Sequence, residues 1–342
     1  MRLGFAGIDL AFAKRKRLPV ALCTWVDGRL VPEPLGALPF EPPRGSGNAM
    51  VLDEDVVTEF VEATATYLVR VCDHLGVRLG RIAIDAPSAP RLAGTDRRAA
   101  ELAMDRAGIS CFSTPSADDF NEIFTKVRRH LGQGGAENRI PHANQLWMVV
   151  GFRLFSRLSE LAPCVEVFPQ ATARVLGSGQ VHKSESGGVE AQLAEAAIHT
   201  GWPGGGEADP AFEDIAFGPA HDRLDAYLSA WVAALAPEER HAFGDPPDDV
   251  IWAPKVGSAV FDRPVVTKPK RRLSRPKARS GVVHAERFKR MCPGCGAHEF
   301  VRWPFGWDAH AAYKCVGLEG TAPGARKAEF KTKFGHTFRS DS

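Results

Sequence analysis

Phe5-Ala6-Gly7-Ile8-Asp9-Leu10-Ala11 is an apolar, strand-like run that carries a single carboxylate. A buried carboxylate without a partner is strongly unfavourable, so Asp9 requires a cation or a set of donors. Ala83-Ile84-Asp85-Ala86-Pro87 and Val165-Glu166-Val167-Phe168-Pro169 repeat the arrangement. A fourth segment, His221-Asp222-Arg223-Leu224-Asp225-Ala226, sets two carboxylates three residues apart on a helical pattern. Both therefore lie on nearly the same helix face. Acids drawn from distant parts of the chain, each at the end of an element, suggest one shared cation.

Around the first strand the pattern extends in both directions. Pro19 to Trp25 and Arg29 to Val31 read as two more strands, joined by the turn signal Asp27-Gly28. Apolar residues from Val56 to Leu75 recur at helical period, and Arg81 to Asp85 forms a strand stopped by Ala86-Pro87. A helix is expected over 95–107, an irregular stretch over 110–141, and a long amphipathic helix from His142 to Leu161. Cys164 to Phe168 reads as a strand, Pro169 to Leu176 and 189–200 as helices, and Pro219 opens a strongly striped helix. Val250 to Trp252 reads as an edge strand. Three turn-linked strands followed by alternating helices and strands predict an α/β fold, a mixed sheet with helices on its faces.

The totals are compatible with that fold. With 342 residues, 44% hydrophobic and 25% charged, the chain suits one large α/β domain with a small appended unit. Met1 leads straight into a strand-like segment rather than a signal peptide, and no apolar run approaches a membrane span. A cytoplasmic location is the expectation. The net charge of +2 conceals a division: residues 262–342 hold 18 Lys/Arg against 7 Asp/Glu, and residues 1–261 hold 25 against 34. An acidic body with a basic tail suits a polyanionic partner reached through the tail, although a solvated linker has the same composition. Boundaries follow at 1–261 for the body, 262–290 for a basic linker and 291–342 for a terminal module.

The four acidic motifs, in this order, resemble a family of uncharacterised predicted nucleases with a ribonuclease H-like fold, distantly related to Holliday-junction resolvases. The resemblance covers roughly residues 3–255 and includes Leu146-Trp147-Met148-Val149-Val150-Gly151-Phe152 and Ile251-Trp252-Ala253-Pro254. It implies that acids on the first strand, the fourth strand and a late helix bind divalent cations. In this chain those acids are Asp9, Asp85, Asp222 and Asp225. Glu166 matches the family's Glu-x-x-Pro motif and is a further ligand or a supporting group. Mg²⁺ or Mn²⁺ suits such oxygen donors, and a pair of ions about 3.5–4 Å apart could activate water and stabilise the leaving oxygen of a phosphodiester. Asp9, on a central strand, is the candidate for bridging them.

Each acid also has a plainer explanation. Asp222 lies in a first helical turn, where the macrodipole favours any Asp. Asp85 before Ala86-Pro87 can form a turn. Glu166 can pair with a buried Arg, and His221 at a helix start is usually structural. The cationic run Lys14-Arg15-Lys16-Arg17 could grip a nucleic acid backbone or be an exposed hairpin. Lys183 and Arg98 are further candidates for phosphate contact, with a plain surface charge as the favoured reading of each.

Seven cysteines divide in the same way as the charge. Cys23, Cys72, Cys111 and Cys164 sit in apolar contexts and read as buried thiols. Cys292, Cys295, His310 and Cys315 give C-x2-C-x14-H-x4-C, close to the spacing of a structural Zn²⁺ finger, with His298 and His336 as competing ligands. A hairpin from Glu299 to Trp303 and a helix from about Trp307 would complete a C2HC-type module.

Two other classes compete with a metal-dependent nuclease acting on DNA or RNA. One is a catalytically inactive nucleic acid-binding or scaffold protein on the same fold. The other, an actin-like or sugar-kinase-like ATPase, needs a second Gly-rich phosphate loop preceded by a strand and an acid. Gly204-Gly205-Gly206 lacks both.

Overall fold

The computed structural model describes residues 1–177, 183–204 and 209–256, together with four short strands between 287 and 339. The chain divides into two compact units, Met1–Thr267 and Lys268–Ser342.

The first unit is built on a five-stranded mixed sheet in the order β3-β2-β1-β4-β5. The strands are β1 (Arg2–Asp9), β2 (Val20–Val26), β3 (Arg29–Pro32), β4 (Val77–Asp85) and β5 (Cys164–Glu166). β1 pairs antiparallel with β2, as β2 does with β3, whereas β1, β4 and β5 run parallel. The parallel strands are reached by long crossovers through helices, which cover both faces and explain why β1 is buried along most of its length.

On one face lie α1 (Glu54–Leu75) and α4 (Ala143–Leu158), packed on Ala6, Ile8, Ile82 and Ile84. Asp53 caps α1 by accepting from the Asp55 and Val56 amides, and left-handed Gly76 ends it. On the other face lies α7 (Ala220–Ala234), whose Val232 and Ala233 meet Phe5 and Ala83. Its Leu224, Tyr227, Leu228 and Trp231 form a second cluster with Trp202 and Leu30. The remaining helices are α2 (Ala99–Arg106), α3 (Ala117–Gly132), α5 (Pro169–Val175) and α6 (Gly188–Thr200).

Most expected elements form, and the differences have local causes. The stretch expected to be irregular contains α3, a 16-residue helix started by a reciprocal Ser116–Asp119 capping box. Its buried face is only Phe120, Ile123 and Val127, a narrow stripe outweighed in the sequence by Gly132, Gly134 and Gly135. The expected edge strand is β7 (Asp249–Pro254), which pairs with β6 (Arg240–Asp245) in a separate two-stranded sheet. β6 carries no alternating signal in the sequence, because Arg240, His241 and Asp245 interrupt it. Of the four scattered cysteines only Cys23 is fully buried.

In the second unit β8 (Arg287–Lys289), β9 (Glu299–Arg302), β10 (Ala312–Cys315) and β11 (Phe338–Arg339) form an antiparallel sheet in the order β11-β10-β9-β8. β8 falls inside the segment expected to be linker. Cys315 ends β10 and pairs through its backbone with Phe300. Cys292, Cys295 and His310, the helix expected near Trp307, and His298 and His336 lie outside the described residues.

Candidate metal centre

β1 and β4 end side by side, with Asp9 and Asp85 as register partners. Alternation along a strand puts Phe5, Gly7 and Asp9 on the α7 face. Gly7 lets the helix come down on that face: a Cβ there would stand 2.1 Å from the Ala226 carbonyl oxygen and 2.2 Å from the Ala230 nitrogen. Any side chain at this position would lift the turn of α7 that follows Asp222 and Asp225. At its far end α7 is tied to β4, because Arg81 donates to the Ala233 carbonyl at 2.6 Å and to that of Leu235 at 3.0 Å. A cation at a helix C-terminus also complements the macrodipole.

This packing brings acids from three elements together. One carboxylate oxygen from each of Asp9, Asp85 and Asp225 lies within 4.8 Å of the other two. Opposite ligands of an octahedral ion with bonds of about 2.1 Å stand about 4.2 Å apart, so the set needs little adjustment to share a cation. Asp222, one turn before Asp225, is 5% exposed and close enough to Asp9 for the two charges to repel.

The acids are held in electrostatic tension. Two carboxylates at 4–5 Å repel by roughly 3–4 kcal/mol at the effective dielectric typical of protein sites. Burial, and next the neighbouring Asp222, raise the Asp9 carboxyl from its usual 3.8 to about 7. Burial and then Asp9 push Asp85 well above the carboxylate range. Two lysines offset part of this charge: Lys16 Nζ is 2.6 Å from Asp222 Oδ2, and Lys183 Nζ contacts Asp225 Oδ2. His221 Nε2 is 3.2 Å from the other Asp222 oxygen.

Glu166 stands apart from this group. It pairs with Ile84, one residue short of Asp85, and Arg98 grips both its oxygens at 2.7 and 2.8 Å. The Ser88 amide adds a third donor at 2.8 Å. The suggestion that Arg98 contacts phosphate is corrected by the same geometry. Its side chain is 5% exposed and also reaches Asp249 Oδ1 at 2.9 Å, so it holds α2, β5 and β7 together. Lys183 proves to be a partner of the acid cluster. Of the cationic run, Lys16 turns inward to Asp222, while Lys14 and Arg17 pair with Glu137 and Glu41.

The sequence did not disclose a cleft beside the acids, whose lining includes Asp85, Phe112, Trp147, Met148 and Phe168. Phe112 was the available signal, an aromatic in a polar stretch. It remains 60% exposed.

Among the described residues no helix is long and apolar enough to cross a membrane. No curated protein and no solved structure matches the chain. A family model does match, over residues 7–249, a span that contains all five of these acids. The chain belongs to that family, described as protein of unknown function DUF429.

Proposed function

We propose that this chain is a divalent-metal-dependent nuclease that hydrolyses phosphodiester bonds in DNA or RNA on a ribonuclease H-like fold. The observation that carries the reading is the convergence of Asp9, Asp85 and Asp225, from two adjacent strand ends and a late helix. It is the first-strand, fourth-strand and late-helix set of acids that the resemblance requires. Three acids around so small a space repel one another, and a shared cation relieves that repulsion.

The donor set fits a hard cation. Carboxylate oxygens suit Mg²⁺ or Mn²⁺, and the raised Asp9 and Asp85 values mark a site short of positive charge. Asp9, Asp85 and Asp225 would hold the ion, with Asp222 beside Asp9 as a ligand to a second. When bound, such ions polarise the phosphate and lower the pKa of water. Glu166, locked by Arg98, fixes the Pro87–Ser88 turn that follows Asp85 and so sets the direction of that carboxylate. In the second unit, Cys292, Cys295, His310 and Cys315 are proposed to hold a structural Zn²⁺, with the surrounding basic residues aiding nucleic acid binding.

The test is cleavage of labelled single- and double-stranded DNA and RNA with Mg²⁺ or Mn²⁺. Asp9→Ala should abolish cleavage while leaving the fold intact, and retained cleavage would overturn the proposal. One observation favours the inactive nucleic acid-binding protein: Lys16 and Lys183 already neutralise two of the acids. That reading requires that calorimetry detect no Mn²⁺ at the site.

A further inference from the structure

We infer that the cleft beside Asp85 receives one unstacked nucleobase of a single-stranded polynucleotide, and that Phe112 is the platform on which it stacks. The inference rests on the nuclease reading for its substrate class and adds what the acids cannot specify, namely the strandedness of the substrate.

Three observations converge on a base. First, Asp85 belongs to both places: its carboxylate is part of the acid cluster, and it lines the cleft. A nucleotide joins its base to its phosphate through a single sugar. A phosphate at the acids would therefore carry its own or the adjoining base to the cleft. Second, the walls are largely apolar and aromatic, with Phe112, Trp147, Met148 and Phe168 among them. Third, the charged groups that also line it are already satisfied. Arg98 and Glu166 pair with each other, and Glu101 accepts from the Thr114 amide at 2.7 Å and pairs with Arg97. No unpaired cation in the lining would draw a phosphate into the cleft itself. What it offers is flat, apolar surface, which every base can use regardless of sequence.

Phe112 is the residue on which this turns. At 60% exposure it contributes little to the core, yet it stands in the lining of a cleft that touches the acids. An exposed aromatic at such a place is explained by a stacking partner. A duplex keeps its bases stacked and would have to extrude one at a cost of a few kcal/mol, so an unpaired strand is the favoured ligand.

The test uses the full chain, Ca²⁺, and a single-stranded oligonucleotide carrying one 2-aminopurine, whose emission falls on stacking. Wild type should quench the probe. Phe112→Ala should lose the quenching and bind about 10-fold more weakly, as removal of one base–aromatic stack implies. Phe112→Trp should restore both, and the matching duplex should bind less well than the single strand. Because Phe112 is exposed, its replacement leaves the fold intact, which circular dichroism would verify. Quenching and affinity unchanged in Phe112→Ala would overturn the inference. So would displacement of the oligonucleotide by a nucleoside monophosphate at equal concentration, which would assign the cleft to free nucleotides. Mn²⁺-dependent cleavage measured in parallel separates the two claims. Cleavage with quenching indifferent to Phe112 removes the base site and leaves the nuclease. Phe112-dependent quenching without cleavage does the reverse.

Discussion

Asp9 and Asp85 are register partners at the carboxyl ends of two adjacent parallel strands, so their repulsion is built into the sheet. Neither can move away without breaking the pairing of β1 with β4. Asp9, raised to about 7 by burial and by Asp222, holds a proton in the folded, metal-free protein over a range where the unfolded chain has released it. Between about pH 4 and pH 7 unfolding therefore releases a proton, and metal-free stability should fall as pH rises across that window. Below it both states are protonated, and above it both are ionised. Asp222, Asp85, Lys16 and Lys183 surround the group, and the lysines only partly counter the upward shift. Asp9→Asn should flatten this dependence in EDTA and leave the protein more stable than wild type at pH 8. It should also remove Mn²⁺ binding. At pH 6, Mg²⁺ binding to wild type should release a proton, so the calorimetric heat should vary with the ionisation enthalpy of the buffer. A buffer-independent heat would contradict the raised value.

Gly7 governs the distance between the strand and the helix that carry the acids. Gly7→Ala places a Cβ 2.1 Å from backbone, which cannot rotate aside as a side chain would. The expected loss of stability is about 2–4 kcal/mol, in the upper range for overpacking. Because α7 must shift, Mn²⁺ affinity should also fall, whereas an equally destabilising change elsewhere in the core should leave it intact. Leu68→Ala, on the opposite face of the sheet, is the control. Equal affinities in the two variants would mean that α7 does not depend on Gly7 for its placement.

Much of the fold was legible because β1 is an unbroken apolar run and α1, α4 and α7 each carry apolar residues at helical period. The convergence of Asp9, Asp85 and Asp225 was legible too, since Asp9 and Asp85 each end an apolar strand and Asp225 sits among apolar residues of a helix, with no local partner to explain them. What stayed hidden depends on contacts between distant residues. Nothing near Arg98 in sequence announces Glu166 and Asp249, so a buried clamp read as a surface charge. Lys16 looked like one of four equivalent cations, and only the folded loop singles it out for Asp222. The cleft has the same cause: Phe112, Trp147 and Phe168 come from three separate segments.

The Arg98–Glu166 pair decides between a supporting and a liganding role for Glu166. Arg98→Ala would leave a buried carboxylate uncompensated, which typically costs about 3–5 kcal/mol. Replacing both residues with apolar side chains of similar size, Arg98→Met with Glu166→Leu, should recover most of that loss by denaturant unfolding. A supporting Glu166 also predicts that Glu166→Gln retains Mn²⁺ binding within a few-fold. Complete loss of binding in that variant would make Glu166 a ligand.

Lys183 faces Asp225 from the segment before α6 and stands where a metal's positive charge would otherwise act on that acid. The two cations compete for one carboxylate, and the competition has a predictable sign. In the metal-free protein the ion pair offsets part of the repulsion among Asp9, Asp85 and Asp225, so Lys183→Gln should lower the melting temperature in EDTA. Once an ion is bound the same ammonium repels it, and its removal should strengthen Mn²⁺ binding by about 5- to 10-fold, as expected for one partly screened charge a few ångströms away. The two effects point in opposite directions, which distinguishes competition from general damage to the site. A merely structural Lys183 would lower both stability and affinity, and calorimetry on the variant with and without Mn²⁺ separates the cases.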